Sequence, residues 1–209
     1  MALWIKICGV TNVEDALLAA SAGADALGVN FVKTSKRCVD IETGRAIRDA
    51  VAGRVELVAV VAGRSLPELE ALRERTGIDW LQLHGNEDPS FVQKALPHAF
   101  KAVGIATAAD VESARGFPGE RLLADAKVEG ELGGTGRSFD WTLVRELAVD
   151  RPIVLAGGLR PENVAEAVRV VRPFGVDVAS GVESGDPRAK DPERMRAFVR
   201  AARNAKNDA

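Results

Sequence analysis

The stretch PIVLAGGLRPENVAEAVRVVRPFGVDVASGV, residues 152–182, carries the pattern that decides the fold. Its first run, Ile153 to Ala156, is apolar throughout and stops at Gly157 and Gly158. Runs of this kind suit parallel strands covered by helices. RPENVAEAVRVVRP, residues 160–173, then reads as an amphipathic helix, with Pro161 at its start and Pro173 past its end. A second apolar run, VDVASGV, ends at Ser180 and Gly181. Strand, helix and strand in that order make one parallel crossover unit.

The same unit recurs along the chain. LWIKICG, ADALGVNF, VELVAVVAG, DWLQLHG, FKAVGIA and RLLADAK are further apolar runs. Amphipathic segments lie between them. NVEDALLAASAG has Asn12 as its N-cap, acids Glu14 and Asp15 in its first turn, and Gly23 after its end. SLPELEALRERTG repeats that logic with Ser65 and Gly77, and the last helix opens with Asp191 and Pro192. An open doubly wound sheet and a closed (β/α)8 barrel both fit this alternation, and a count of about eight units favours closure. With 209 residues the chain is near the short end for such barrels, so short loops are expected. No linker or composition break divides it, so residues 1–209 read as one α/β barrel domain, with NAKNDA frayed at the end.

Composition excludes several classes of function. A net charge of -2 gives no electrostatic case for nucleic acid or for an acidic membrane surface. No apolar run approaches the roughly 20 residues of a membrane helix. Two cysteines in a chain this long suit a reducing cytosol better than a disulfide scaffold. No basic stretch followed by a long apolar one marks a secretory signal, so a cytoplasmic location is expected. There is no nucleotide-binding glycine fingerprint and no metal-ligand spacing around His84 or His98, so no cofactor and no metal are expected.

In a barrel, chemistry sits on the loops that leave the C-terminal ends of the strands. That filter selects Cys8, at the end of the first strand, as a thiolate base or nucleophile. The bland alternative is a small buried hydrophobe, which is how Cys38 reads. The filter also selects Asp125, at the end of the sixth strand, as a general acid, against an ordinary ion pair with Lys127. Arg37, in the basic loop KTSKRCV, can clamp a planar carboxylate. Gly157 and Gly158 end the seventh strand, and Ser180 and Gly181 end the eighth. Barrels commonly hold phosphate between those two loops. The segment GGTG after the sixth strand suits close approach to a ligand or a mobile lid. His84, after the fourth strand, faces the mouth, and His98 is loop surface.

Six motifs together resemble phosphoribosylanthranilate isomerase, a family of tryptophan biosynthesis. They are KICGVT, ADALGVNF with SKR, LQLHG, LLADAK with GGTGRSFDW, LAGGLRPENV, and VDVASGVE with a later KD. The resemblance spans nearly the whole chain. It implies a (β/α)8 barrel that converts N-(5-phosphoribosyl)anthranilate to 1-(2-carboxyphenylamino)-1-deoxyribulose 5-phosphate by a cofactor-free Amadori rearrangement. It implies Cys8 as general base, Asp125 as general acid and Arg37 on the anthranilate carboxylate. Gly157, Gly158, Ser180 and Gly181 would hold phosphate, and Asp177 would lie near the substrate. A monomer and a homodimer both fit. Many members carry S-P-R-Y where this chain has SKRC, so the proline that would stiffen the loop and the ring that would cover the arginine are missing. The alternatives are an isomerase of another phosphosugar, such as the histidine-pathway aminoaldose, and a phosphosugar-binding barrel without catalysis.

Overall fold

The computed structural model describes residues 2–126 and 141–207. Eight strands alternate with eight α-helices among these residues: β1 (Trp4–Cys8), α1 (Val13–Ser21), β2 (Ala26–Asn30), α2 (Ile41–Val51), β3 (Glu56–Val61), α3 (Leu66–Thr76), β4 (Trp80–Leu83), α4 (Pro89–Ala95), β5 (Ala99–Ile105), α5 (Ala108–Arg115), β6 (Leu122–Ala126), α6 (Trp141–Asp150), β7 (Ile153–Ala156), α7 (Val164–Val171), β8 (Gly175–Val178) and α8 (Pro192–Asn207). A single 3-10 turn, Ser180–Val182, follows β8. Every neighbouring pair of strands is parallel, and β1 pairs with both β2 and β8, which closes the sheet into a barrel. No helix among the described residues is long and apolar enough to cross a membrane.

The period of two within each strand separates two cores. Ile5, Ile7, Leu27, Val29 and Leu155 point outward and pack under the helices. Each such fully buried aliphatic side chain contributes about 1.5–3 kcal/mol. Ala26, Val58, Phe100, Leu123 and Val154 point inward and fill the lumen. At the N-terminal end of the barrel, the Arg121 guanidinium lies 4.3 Å from the ring centre of Trp80 and 5.1 Å from those of Trp4 and Phe100. It bonds Glu56 at 2.9 Å. This cation, boxed by rings and paired, floors the lumen.

Helix starts follow the sequence where a cap is present. Asn12 Oδ1 accepts from the Asp15 amide at 2.8 Å, and Glu68 Oε2 accepts from the Ser65 amide at 2.8 Å. Gly77 ends α3 at φ 68°, a left-handed position that suits glycine. Two boundaries differ from the sequence reading. Pro161 lies in a turn before α7, because Asn163 claims that segment: its Oδ1 accepts from the Arg160 amide at 2.8 Å and its Nδ2 donates to the Gly158 carbonyl at 3.1 Å. At the other end, α8 is helical to Asn207 and does not fray at Asn204. Met195, Phe198, Ala202 and Ala205 form one apolar face, and Ala205 is 1% exposed, so packing holds the last turn.

Candidate active site

The mouth is built on the C-terminal ends of the strands. Inward-facing Lys6 and Cys8 lie two residues apart on β1. Both side chains rest over Gly28, the β2 partner of Cys8. A Cβ at Gly28 would stand 2.6 Å from Cys8 Sγ and 3.1 Å from Lys6 Cε. The missing side chain is therefore what lets the two meet. Lys6 is 0% exposed. Its Nζ donates to Asp177 Oδ1 at 2.7 Å and to Gln82 Oε1 at 2.8 Å. Burial alone would push the Lys6 ammonium down, but Asp177 and the Cys8 sulfur outweigh it and hold it above the ordinary lysine value. Burial pushes the Cys8 thiol up, Asp177 adds to the rise, and Lys6 and Lys190 pull against it. In the structure burial prevails in the free protein.

The Lys6 contact fixes a proton on the other side of the mouth. An ammonium only donates, so the Gln82 oxygen faces Lys6 and the Gln82 Nε2 faces His84 Nδ1 at 3.0 Å. Nδ1 is then the acceptor, and the His84 proton resides on Nε2. That nitrogen lies 3.8 Å from Asp125 Oδ2. Loss of water over its inner face lowers the pKa of His84, against the pull of Asp125 and Asp177. Asp125 stands on β6 beside Gly104 and Ala156, with its side chain 25% exposed. Cys8, Asp177, His84 and Asp125 thus share one rim, reached from four strands.

Arg37 extends over the first strand's end. A Cβ at Gly9, which has φ 72°, would stand 2.3 Å from Arg37 Cδ, so only glycine leaves that path open. Glu183 receives Arg37 Nε and Nη2, and also Lys190 Nζ at 3.1 Å. Burial would raise the Glu183 carboxyl, but the two cations hold it below the usual carboxylate range. Although the loop lacks a stiffening proline, it is tethered: Arg188 Nη1 donates to the carbonyls of Lys36 at 3.3 Å and Cys38 at 3.0 Å.

The last two glycine loops touch. Gly157 and Gly158 have φ 93° and 62°. A Cβ at Gly181 would stand 2.0 Å from the Leu159 carbonyl oxygen, so the β7 and β8 loops meet at that glycine. Arg194 Nε donates to the Gly181 carbonyl at 3.0 Å and braces it from α8. Ser180 begins the 3-10 turn beside this contact.

All the site residues named from the sequence that end a strand are therefore at one end of the barrel. Lys127 and GGTG lie outside the described residues. Cys38 is half-buried in the tethered loop, and His98 is exposed at the opposite end, before β5. The sequence reading gave no role to Lys6, Gln82 or Glu183, and held Lys190 only within the KD motif. The available signal was parity: Lys6 shares a strand face with Cys8, as Gln82 does with His84.

Comparison with known proteins bears on this arrangement. The family model for N-(5'phosphoribosyl)anthranilate (PRA) isomerase matches residues 5–201. A relative in Magnetococcus marinus, named N-(5'-phosphoribosyl)anthranilate isomerase, is 40% identical over 100% of this chain and 99% of its own length. The crystal structure of phosphoribosyl anthranilate isomerase from Thermotoga maritima superposes with a TM-score of 0.88 at 38% identity, covering 97% of this chain and 99% of that one. Another solved structure, of the isomerase in complex with reduced 1-(o-carboxyphenylamino)-1-deoxyribulose 5-phosphate, has a TM-score of 0.84 at 36% identity over 97% and 99% of the two chains. With an eight-stranded closed barrel and full-length similarity at these levels, the chain belongs to the N-(5'-phosphoribosyl)anthranilate isomerase family.

Proposed function

We propose that this chain converts N-(5'-phosphoribosyl)anthranilate to 1-(2-carboxyphenylamino)-1-deoxyribulose 5-phosphate, the Amadori rearrangement of tryptophan biosynthesis. The observation that carries the reading is a thiol on β1 and a carboxyl on β6 at one barrel mouth, Cys8 and Asp125. The rearrangement consists of proton transfers, and side chains supply those. We read residues 1–209 as one barrel domain acting in the cytoplasm on a small phosphorylated substrate, as a monomer or homodimer.

Asp125 in its protonated form gives its proton to the ring oxygen as the bond from that oxygen to C1 breaks. The anilino nitrogen lone pair forms the C1–N double bond. The Cys8 thiolate then takes the C2 proton. The C–H electron pair becomes the C1–C2 double bond, and the C1–N π pair returns to nitrogen. The resulting enaminol becomes the ketone when C1 gains a proton and the C2 hydroxyl loses one. Each positioned acid or base contributes about 10²–10⁴-fold. Arg37 takes the anthranilate carboxylate. Gly157, Gly158, Ser180 and Gly181 take the phosphate with backbone N–H groups. Asp177 and His84 line the sugar's place between them. With both ends of the substrate held, C2 and the ring oxygen lie between base and acid.

A barrel that only binds a phosphosugar has no use for an acid and a base on opposite sides of its ligand. Turnover of freshly generated N-(5'-phosphoribosyl)anthranilate by the purified chain tests the reading. Formation of the aminoketose is expected. A folded protein that binds inorganic phosphate but forms no product would overturn it.

A further inference from the structure

The proposed reaction leaves Lys6 without a task, although it is a fully buried lysine in the lumen. An unpaired ammonium in such a place costs several kcal/mol. Its partner Asp177 arrives from β8, and Gln82 arrives from β4. The Lys6 ammonium has three N–H donors, and Asp177 and Gln82 take one each. A third remains, and Gly28 leaves open the space where Cys8 Sγ and Lys6 Cε come together. We propose that Lys6 is the positioning residue of the base, its ammonium shared between Asp177 and Cys8 so that the thiolate can form inside the barrel. This deepens the isomerase reading and rests on it for the purpose of the thiolate.

The other charges that face Cys8, among the described residues, come from three directions. Asp177 on β8 opposes ionisation, and Lys190, ahead of α8, favours it. Arg37, in the loop before α2, also feels the Cys8 charge. β2 contributes only uncharged Gly28 at this contact. Glu183 bonds both Arg37 and Lys190 and offsets one of their two positive charges. Lys6 is therefore the cation closest in sequence and face to the sulfur, and its own neutralisation by Asp177 sets how much of its charge Cys8 receives. On ionisation the thiol proton leaves to solvent and the sulfur keeps the S–H electron pair. Lys6 and Asp177 influence the sulfur with opposite signs, so their substitutions must act in opposite directions.

The test is the pH titration of Cys8 in the full chain, read as ultraviolet thiolate absorbance against a Cys8→Ser reference carrying the same second substitution. Lys6→Met is expected to move the midpoint upward by one pH unit or more, about a tenfold smaller thiolate fraction at a given pH below it. Asp177→Asn is expected to move it downward, because the carboxylate leaves and Lys6 turns its full charge to the sulfur. Lys6→Arg is expected to restore most of the parent midpoint. If Lys6→Met does not fold, Asp177→Asn and Lys6→Arg decide the matter. An unchanged midpoint in folded Lys6→Met, or an upward one in Asp177→Asn, would overturn the inference. Turnover is measured on the same samples. Parent turnover with an unmoved titration sinks this inference and leaves the isomerase reading; opposite shifts without parent turnover sink the reading and leave the charge relation.

Discussion

Glu183 holds Arg37 by both carboxylate oxygens, Nε to Oε1 at 2.6 Å and Nη2 to Oε2 at 3.0 Å. The planar fork is thereby fixed in orientation, and a guanidinium has a second edge, Nη1 with Nη2, that matches another carboxylate. Arg37→Lys keeps the charge and loses the fork. KM for the anthranilate substrate is expected to rise about tenfold or more, the worth of a charged hydrogen bond, with a smaller change in kcat. Steady-state kinetics check this, and an unchanged KM would remove Arg37 from carboxylate binding.

Cys8→Ser and Asp125→Asn are each expected to lower kcat by about a hundredfold or more, with KM little changed. Serine keeps the size and lacks an accessible anion; asparagine keeps the shape and lacks the acidic proton. Circular dichroism should show both variants folded. Full activity in either one would discard that residue's role while leaving the other's intact.

Gly181→Ala and Gly158→Ala separate contact from conformation at the two glycine loops. An alanine methyl at position 181 meets the Leu159 carbonyl oxygen at 2.0 Å, a backbone atom, so the loops must part. At position 158 nothing lies within 4 Å and the cost is only that of φ 62°, about 1–2 kcal/mol. Inhibition by inorganic phosphate is expected to weaken far more in Gly181→Ala than in Gly158→Ala. Equal effects would show that these loops do not form the cradle together.

A second buried ion pair bears on acid stability. Lys101 Nζ donates to the carbonyls of Leu83, Gly85 and Ala102 and lies 3.2 Å from Glu87 Oε2. Burial works to raise the Glu87 carboxyl, but the Gly63 amide, its own amide and Lys101 together hold it below the usual carboxylate range. A carboxylate lowered on folding stabilises fully above its unfolded value, about pH 4.3, and that share is lost as pH falls through its native value. Glu87→Gln should therefore be less stable than the parent at neutral pH, and the gap should narrow on acidification below about pH 4. Lys101→Met, which strands the carboxylate, should cost about 3 kcal/mol. Chemical denaturation at several pH values reads both; a gap that widens with acid would contradict the assignment.

The strands were legible because each is buried on both faces, so IVLA stays apolar along its length and GVDV departs from that pattern only at Asp177. Closure was legible only through the count, since one unit looks the same in an open sheet. Cys8, Asp125 and the glycine pairs were singled out because each lies at a strand end, where barrel chemistry sits. Lys6 was not, since a lysine inside WIKIC resembles a solvent-facing break in a strand. Its partners lie 76 and 171 residues away, and no local pattern links them. The start of α7 was misplaced for a related reason. Pro161 suits a first helical position, yet the Asn163 side chain bonds Arg160 and Gly158 and holds the turn open. Polar NAKN hid the fit of Ala205 beneath it.

Among the described residues, Val58, Phe100, Leu123 and Val154 fill the lumen above the ring-boxed Arg121, so the barrel is a cup, not a pipe. Whatever enters at the rim has to back out through the same doorway. Arrival and departure are then mutually exclusive events, and a newcomer waits until the spent molecule has gone. Accumulating aminoketose should accordingly compete with fresh aminoaldose for the one entrance, so the enzyme throttles itself when whatever consumes its product falls behind.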